Sequence, residues 1–278
     1  MKFDIYQTIT DRIIDQLEKG LIPWEKTWSG ISGGAFNRIS RKPYSLLNQM
    51  LLKHRGEYAT FKQWQNLGGH IRKGARAEMV VYWNIIEKEE VNKDGEKVVV
   101  GIPILKYYNV FHISDVEGVT PLTTNETEVK PIESAEKLII DYVTREHINY
   151  KEIVSDKAYY SPITDSVVVP TKKQYQNIND FYATAFHEIT HSTGNKSRLN
   201  RITSVAAFGS QEYSKEELVA EIGSATLMNL LNLETSKTFR NTTAYIQSWL
   251  RVLKNDKRFI VSAASKAEKA VNYILGNQ

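Results

Sequence analysis

The sequence predicts an α+β protein in two domains. Three observations carry that expectation: two long β-patterned runs that read as one hairpin, a polar proline-containing stretch after them, and a helix-rich half containing H-E-x-x-H. At 278 residues the chain can bury two real cores, and 41% hydrophobic with 24% charged residues is the balance of a globular protein. The expected division is an N-terminal α+β unit over 1–115, a linker over 116–133 and a C-terminal α+β unit over 134–278.

In chain order, Ile5, Ile9, Ile13 and Leu17 fall on one stripe of a first helix, followed by the tryptophan-dense turn IPWEKTWSG. Helices are expected at 43–55 and 60–68. AEMVVYWNIIEKEEV and KVVVGIPILKYYNVFHIS read as long strands, with a hairpin turn at Asp94 and Gly95 between them. The segment VEGVTPLTTNETEVKPIES has two prolines and little periodicity, as linkers do. A helix follows near 134–146, then short strands between 148 and 170. The last of these, SVVVP at 166–170, is read either as an edge that could pair with a bound peptide or as a core strand. The helix carrying H-E-x-x-H and three more complete the chain. Tyr245, Trp249 and Leu253, then Ala264, Ala267, Val271 and Leu275, keep helical spacing and are expected in the core.

His187, Glu188 and His191 spell the motif inside FYATAFHEITHSTG. Phe181, Ala185 and Ile189 form its apolar stripe, with Asp180 as expected N-cap and Gly194 as stop. Two histidines four apart project from one helix face and can grip one ion, and Glu188 is placed to take a proton from a water in the ion's open position. A third ligand is needed. The H-E-x-x-H-x-x-G-x-x-H solution fails because Ser197 stands where a third histidine would. The alternative is a carboxylate from SKEELVAEIGSATLMNLL, with Ser214 as N-cap, Glu217 in the capping-box position, and Leu218, Ile222, Ala225 and Leu230 facing the core. Glu217 and Glu221 share a face; Glu217 is assigned as metal ligand and Glu221 as hydrogen-bond partner of a ligand histidine, with the reverse left open. Tyr213, just before this helix, is a candidate donor to a developing oxyanion. Zinc is the expected metal, and histidine with carboxylate ligands also accepts manganese or another divalent ion.

Charge is unevenly spread. Residues 31–77 hold nine cations, Arg38, Arg41, Lys42, Lys53, Arg55, Lys62, Arg72, Lys73 and Arg76, against the single acid Glu57, while the whole chain is only +4. Phe36, Tyr44, Tyr58, Phe61 and Trp64 are interleaved with them. Cations for phosphates beside rings on which bases stack are the ingredients of single-strand binding, and Arg38, Arg41, Lys42, Tyr44, Phe61, Lys62, Trp64, Arg72, Lys73 and Arg76 are the candidate contacts. With no cysteine, disulfides, thiolate metal sites and a cysteine nucleophile are excluded. No secretory leader or membrane span is visible in the sequence, so a cytoplasmic location and no membrane partner are expected.

The blocks YQTITDRIIDQLEKGLIPWEKTW, NRISRKPY with SLLNQMLL, TFKQWQNLGGHIRKG and YYNVFHISDVEG, then HEITHSTGNKSRLNR, FGS at 208–210, YSKEELVAEIGSA, YIQSWLRVLKND and AASKAEKAVNYIL resemble, in order and spacing, the plasmid-borne antirestriction proteins of the ArdC type. Their N-terminal domain is also shared with some conjugation primases. That resemblance implies an N-terminal single-stranded-DNA-binding domain, a C-terminal zincin-like metallopeptidase domain, carriage by mobile elements, and protection of incoming DNA from restriction. It also implies His187 and His191 as metal ligands, Glu188 as base and Glu217 as third ligand, with Glu221 where related zincins have aspartate. A peptide or protein substrate such as a restriction component is expected, with two alternatives: a protease recruited to DNA-bound targets, or a binding protein with a structural metal.

Overall fold

The computed structural model describes residues 4–19, 21–25, 34–91, 97–122, 131–175, 177–202, 211–233 and 243–277. Trp28, the Asp94–Gly95 turn, linker residues 123–130, the FGS segment and the Tyr245 side chain lie outside the described residues.

The chain opens with α1 (Ile5–Glu18), N-capped by the Asp4 carboxylate, which accepts from Gln7 N at 3.1 Å. A single 3-10 turn at Pro23–Glu25 follows, then β1 (Ala35–Asn37), α2 (Leu46–Leu51), β2 (Gly56–Thr60), α3 (Phe61–Asn66) and β3 (His70–Ile71). α2 is shorter than its sequence pattern because Leu52 is already extended and Gly56 turns at φ +93. The two long runs form β4 (Glu78–Val91) and β5 (Lys97–His112), antiparallel throughout, within a sheet ordered β1-β2-β5-β4. β4 is an edge strand, and Asn48 covers part of it: its side chain donates to Val81 O at 2.8 Å and accepts from Val81 N at 2.7 Å.

Described residues at both ends of the expected linker belong to the two folded units. β6 (Val116–Glu117) pairs with β3, Val116 is buried with Ala59 and Trp64, and Leu122 N donates to Glu57 at 2.6 Å. α4 (Pro131–Arg145) begins three residues before the expected start. Beyond it, β7 (Asn149–Ile153), β8 (Tyr159–Ser161) and β9 (Ser166–Pro170) form a sheet ordered β7-β9-β8. SVVVP is therefore the central, buried strand, paired with β7 along its length and with β8 at Ser166–Val168. Four helices follow: α5 (Ile178–Ser192), α6 (Gln211–Leu230), α7 (Thr243–Asn255) and α8 (Phe259–Leu275).

One hydrophobic cluster draws on both sides of the 116–133 stretch. Ile9, Ile13, Leu17 and Trp24 pack with Leu218, Ile222, Trp249 and Ile260. Trp24 meets Trp249 edge-on, with centroids 5.2 Å apart. Thr10 Oγ1 donates to Lys257 O at 2.7 Å. The first helix thus shares its core with the last three, while a second cluster under β9 holds Phe181, Phe186 and Ile189 against α4, α6 and α8.

Candidate metal centre

α5 begins earlier than its sequence signals indicate. Asn177 is the N-cap, accepting from Asn179 N at 2.9 Å, and Asp180 lies in the first turn. Phe181, Ala185 and Ile189 are fully buried, so the opposite flank of the helix carries His187 and His191 toward α6. α6 also starts early, at Gln211. Ser214 and Tyr213 therefore lie inside the helix, and Glu217 completes no capping box. Its carboxylate instead faces the two histidines.

The helices approach closely because Gly223 has no side chain: a Cβ there would stand 2.6 Å from Thr190 Cγ2. Ser224 Oγ reinforces the contact by donating to Ala183 O at 2.7 Å. Gly194 ends α5 for a similar reason. The chain folds back so that Ile202 N reaches Gly194 O at 2.9 Å, and a Cβ on Gly194 would stand 2.8 Å from the Ile202 side chain. That return brings in Arg201, whose guanidinium donates to Thr190 O at 3.0 Å, Thr193 Oγ1 at 2.7 Å and Glu216 Oε1 at 2.8 Å. Ser197 is exposed and bonds Asn195, away from any ligand role.

Every Nε2 points inward. His187 Nε2 and His191 Nε2 are 3.0 Å apart; Glu217 Oε2 is 3.5 Å from the first and Glu217 Oε1 3.3 Å from the second. The outward nitrogens each face another carboxylate. Glu221 Oε1 stands 3.2 Å from His187 Nδ1, out of line for a hydrogen bond, and neither atom has another hydrogen-bond partner among the described residues. Glu216 Oε1 stands 3.5 Å from His191 Nδ1. Glu188 is buried at 3% exposure in the same turn as His187.

Electrostatics follow from that crowding. Burial opposes a charge on His191, but Glu216 and Glu217, with Glu188 adding its field, outweigh it and raise its pKa to about 10. Burial likewise disfavours the Glu217 carboxylate, and His187 and His191 overcome this to hold its pKa well below the ordinary range. The donor set is what a divalent ion requires: His187, His191 and Glu217 offer one ligand atom each, all within 4.8 Å of one another, the only such group among the described residues. The i, i+4 relation of Glu217 and Glu221 gives no sign of Glu216, which enters the site through its pair with Arg201.

The candidate DNA contacts differ in exposure and pairing. Trp64 is fully buried, its indole N–H donating to Phe111 O at 2.9 Å, so it presents no face for stacking. Arg38 is 15% exposed and pairs with the buried Glu57, which occupies its charge. Arg72 is exposed and lies 3.3 Å from Glu117. Arg41, Lys62, Lys73 and Arg76 are exposed, as is Phe61 at the start of α3. Lys42 and Tyr44 line the groove between the sheet and α8, and the other eight do not.

A two-histidine, one-glutamate centre between two helices, behind a small sheet, defines a zincin-like metallopeptidase domain, here joined to an α+β domain with a long hairpin. Residues 134–266 match the zincin-like metallopeptidase family and residues 3–111 the N-terminal domain of anti-restriction factor ArdC. The chain belongs to the ArdC family of antirestriction proteins. Crystal structures of the antirestriction protein ArdC from plasmid R388, metal-free and Mn(II)-bound, are 32% identical to it, with TM-scores of 0.77 and 0.78; each covers 99% of this chain and 98% of that one. An uncharacterized protein of Sinorhizobium fredii, y4eC, is 32% identical over 99% of this chain and 92% of its own length. A DNA primase TraC of Escherichia coli is also 32% identical over 99% of this chain, which spans only 27% of the primase. No described helix is long and apolar enough to cross a membrane.

Proposed function

We propose that this chain is a cytoplasmic, single-stranded-DNA-binding antirestriction protein of a mobile element, in which residues 1–115 engage DNA and 134–278 hold one divalent ion, zinc or manganese, for hydrolysis of a protein or peptide such as a restriction component. The convergence of His187, His191 and Glu217 on one point carries the reading. It is supported by the exposed cations of 31–77 and by the family to which the chain belongs.

When bound, the ion supplies Lewis-acid polarisation of a carbonyl and makes a water acidic near neutral pH. Glu188 accepts the water's proton and delivers it to the leaving amine. Tyr213 lies one turn before Glu217 on the same face of α6 and is the proposed donor to the oxyanion. Glu221 and Glu216 hold the histidine rings in orientation from behind.

Glu188→Gln tests this reading, assayed with a fluorogenic peptide library, metal analysis and oligo-dT binding. Hydrolysis should fall by roughly 10²–10⁴-fold, with metal content and DNA affinity unchanged. If protection of transferred DNA survives both Glu188→Gln and His187→Ala, catalysis is not the protective function and the domain acts by binding alone.

A further inference from the structure

A groove of ≈ 1240 Å³ lies between the hairpin sheet and α8, and Lys42 is the one cation of 31–77 in its lining. It exceeds the roughly 300–1,000 Å³ of small-molecule pockets. On the sheet side, Val80 pairs with Tyr108 and Tyr82 with Lys106, so Tyr82 and Tyr108 are diagonal neighbours on one face. They are 52% and 48% exposed, unlike the buried Trp64, and Tyr44 lines the same groove.

On the other side, Arg258, Ser262, Ser265, Lys266 and Lys269 line the groove at helical spacing along α8. The opposite flank of that helix buries Ile260, Ala263, Ala267 and Val271, so the basic flank has no part in the core. Lys42 adds a fourth cation from the N-terminal half. Arg258 lies over the Tyr6 ring, 5.4 Å from its centroid. The single acid in the lining, Glu268, is engaged locally: its carboxylate accepts from Leu46 N at 3.2 Å at the start of α2.

We infer that a single strand of nucleic acid lies in this groove, its bases on Tyr44, Tyr82 and Tyr108 and its phosphates on Lys42, Arg258, Lys266 and Lys269, so that α8 of the metallopeptidase half completes the binding surface. The inference rests on the reading that the chain binds single-stranded DNA, and adds to it where the strand runs. Ring faces beside a row of cations suit unpaired bases on a phosphate chain. An acidic polypeptide would use the cations and leave the rings idle. Ser262 and Ser265 are small donors that let a phosphate backbone come close to the helix.

The test is fluorescence anisotropy of the full chain with oligo-dT of about ten nucleotides, across a salt series. Lys266→Ala/Lys269→Ala should weaken binding at least tenfold at low salt and flatten the log–log salt slope by about 1.4, at roughly 0.7 per phosphate contact. Tyr108→Ala should weaken it roughly tenfold at every salt concentration. Unaltered melting and metal content show that these variants fold. Three outcomes overturn the inference. If the groove variants bind normally while Lys62→Ala/Lys73→Ala does not, DNA binding stands and the groove is the wrong place. If the unaltered chain binds no oligo-dT, the DNA-binding reading falls and the groove assignment with it. If poly-glutamate competes as well as oligo-dT and Tyr108→Ala is silent, the occupant is an acidic polypeptide.

Discussion

Glu221 Oε1 stands 3.2 Å from Nδ1 of His187, one helical turn beyond the Glu217 carboxylate that faces Nε2 of the same ring at 3.5 Å. In the proposed centre, a carboxylate beside the outward nitrogen of His187 favours the tautomer that leaves Nε2 free for an ion. Glu221→Ala should therefore weaken divalent-metal affinity by about 10–100-fold, measured by competition with a chelating dye, and leave one ion per chain at saturation. Glu216→Ala should act similarly through His191 and leave Arg201 on Thr190 and Thr193 alone. Unchanged affinity in both would make these carboxylates bystanders.

Protons and metal compete for the same site. In the metal-free chain the stabilisation from His191, whose pKa is raised to about 10, is complete below its unfolded value near 6.5 and is lost as pH rises through 10. The Glu217 contribution has the opposite sign: it is present above the ordinary carboxylate range and is lost as pH falls through its depressed folded value. Chelator-treated protein should thus lose thermal stability as pH climbs from about 6.5. Metal binding must displace the proton, so the gap in Tm between loaded and stripped protein should widen over the same range. A gap that narrows with rising pH would contradict this.

Close approach of α5 and α6 hangs on Gly223. Gly223→Ala places a methyl 2.6 Å from Thr190 Cγ2, inside a contact where Thr190 is fully buried. Denaturant unfolding should show a loss of about 1–3 kcal/mol, with weaker metal binding because Glu217 and Glu221 move off with the helix. Thr190→Ala in the same chain removes both Cγ2 and Oγ1, the latter 2.9 Å from the added methyl, and should restore much of both.

Arg38 and Trp64 should behave as structural residues. Removing Arg38 strands the buried Glu57, which costs on the order of 3 kcal/mol; removing the Trp64 ring leaves a cavity costing about 3–5 kcal/mol. Urea unfolding of Arg38→Ala and Trp64→Ala measures these losses. The folded fraction should bind oligo-dT with an unaltered salt slope.

How much was legible depends on the range of the interaction involved. The α5 stripe at Phe181, Ala185 and Ile189 is a local pattern, and the structure buries all three. Glu217 was reachable because the motif demands a third ligand and few carboxylates stand on a helix after it. Ser214 with Glu217 imitates a capping box, while α6 begins at Gln211. Arg38 looked like a free cation since nothing local shows that Glu57, nineteen residues away, takes its charge. The contact between Leu46 and Glu268 spans 222 residues, and no periodicity foretells that the last helix packs beside the first sheet.

The most direct measurement is calorimetric titration of the chelator-treated chain with Mn(II) and Zn(II), set beside Glu217→Ala. One ion should bind per unaltered chain, and that binding should be lost in Glu217→Ala and His187→Ala, with the fold retained by circular dichroism. Binding of one ion that survives Glu217→Ala unchanged, or none by the unaltered chain, would contradict the assignment of His187, His191 and Glu217 as the metal centre.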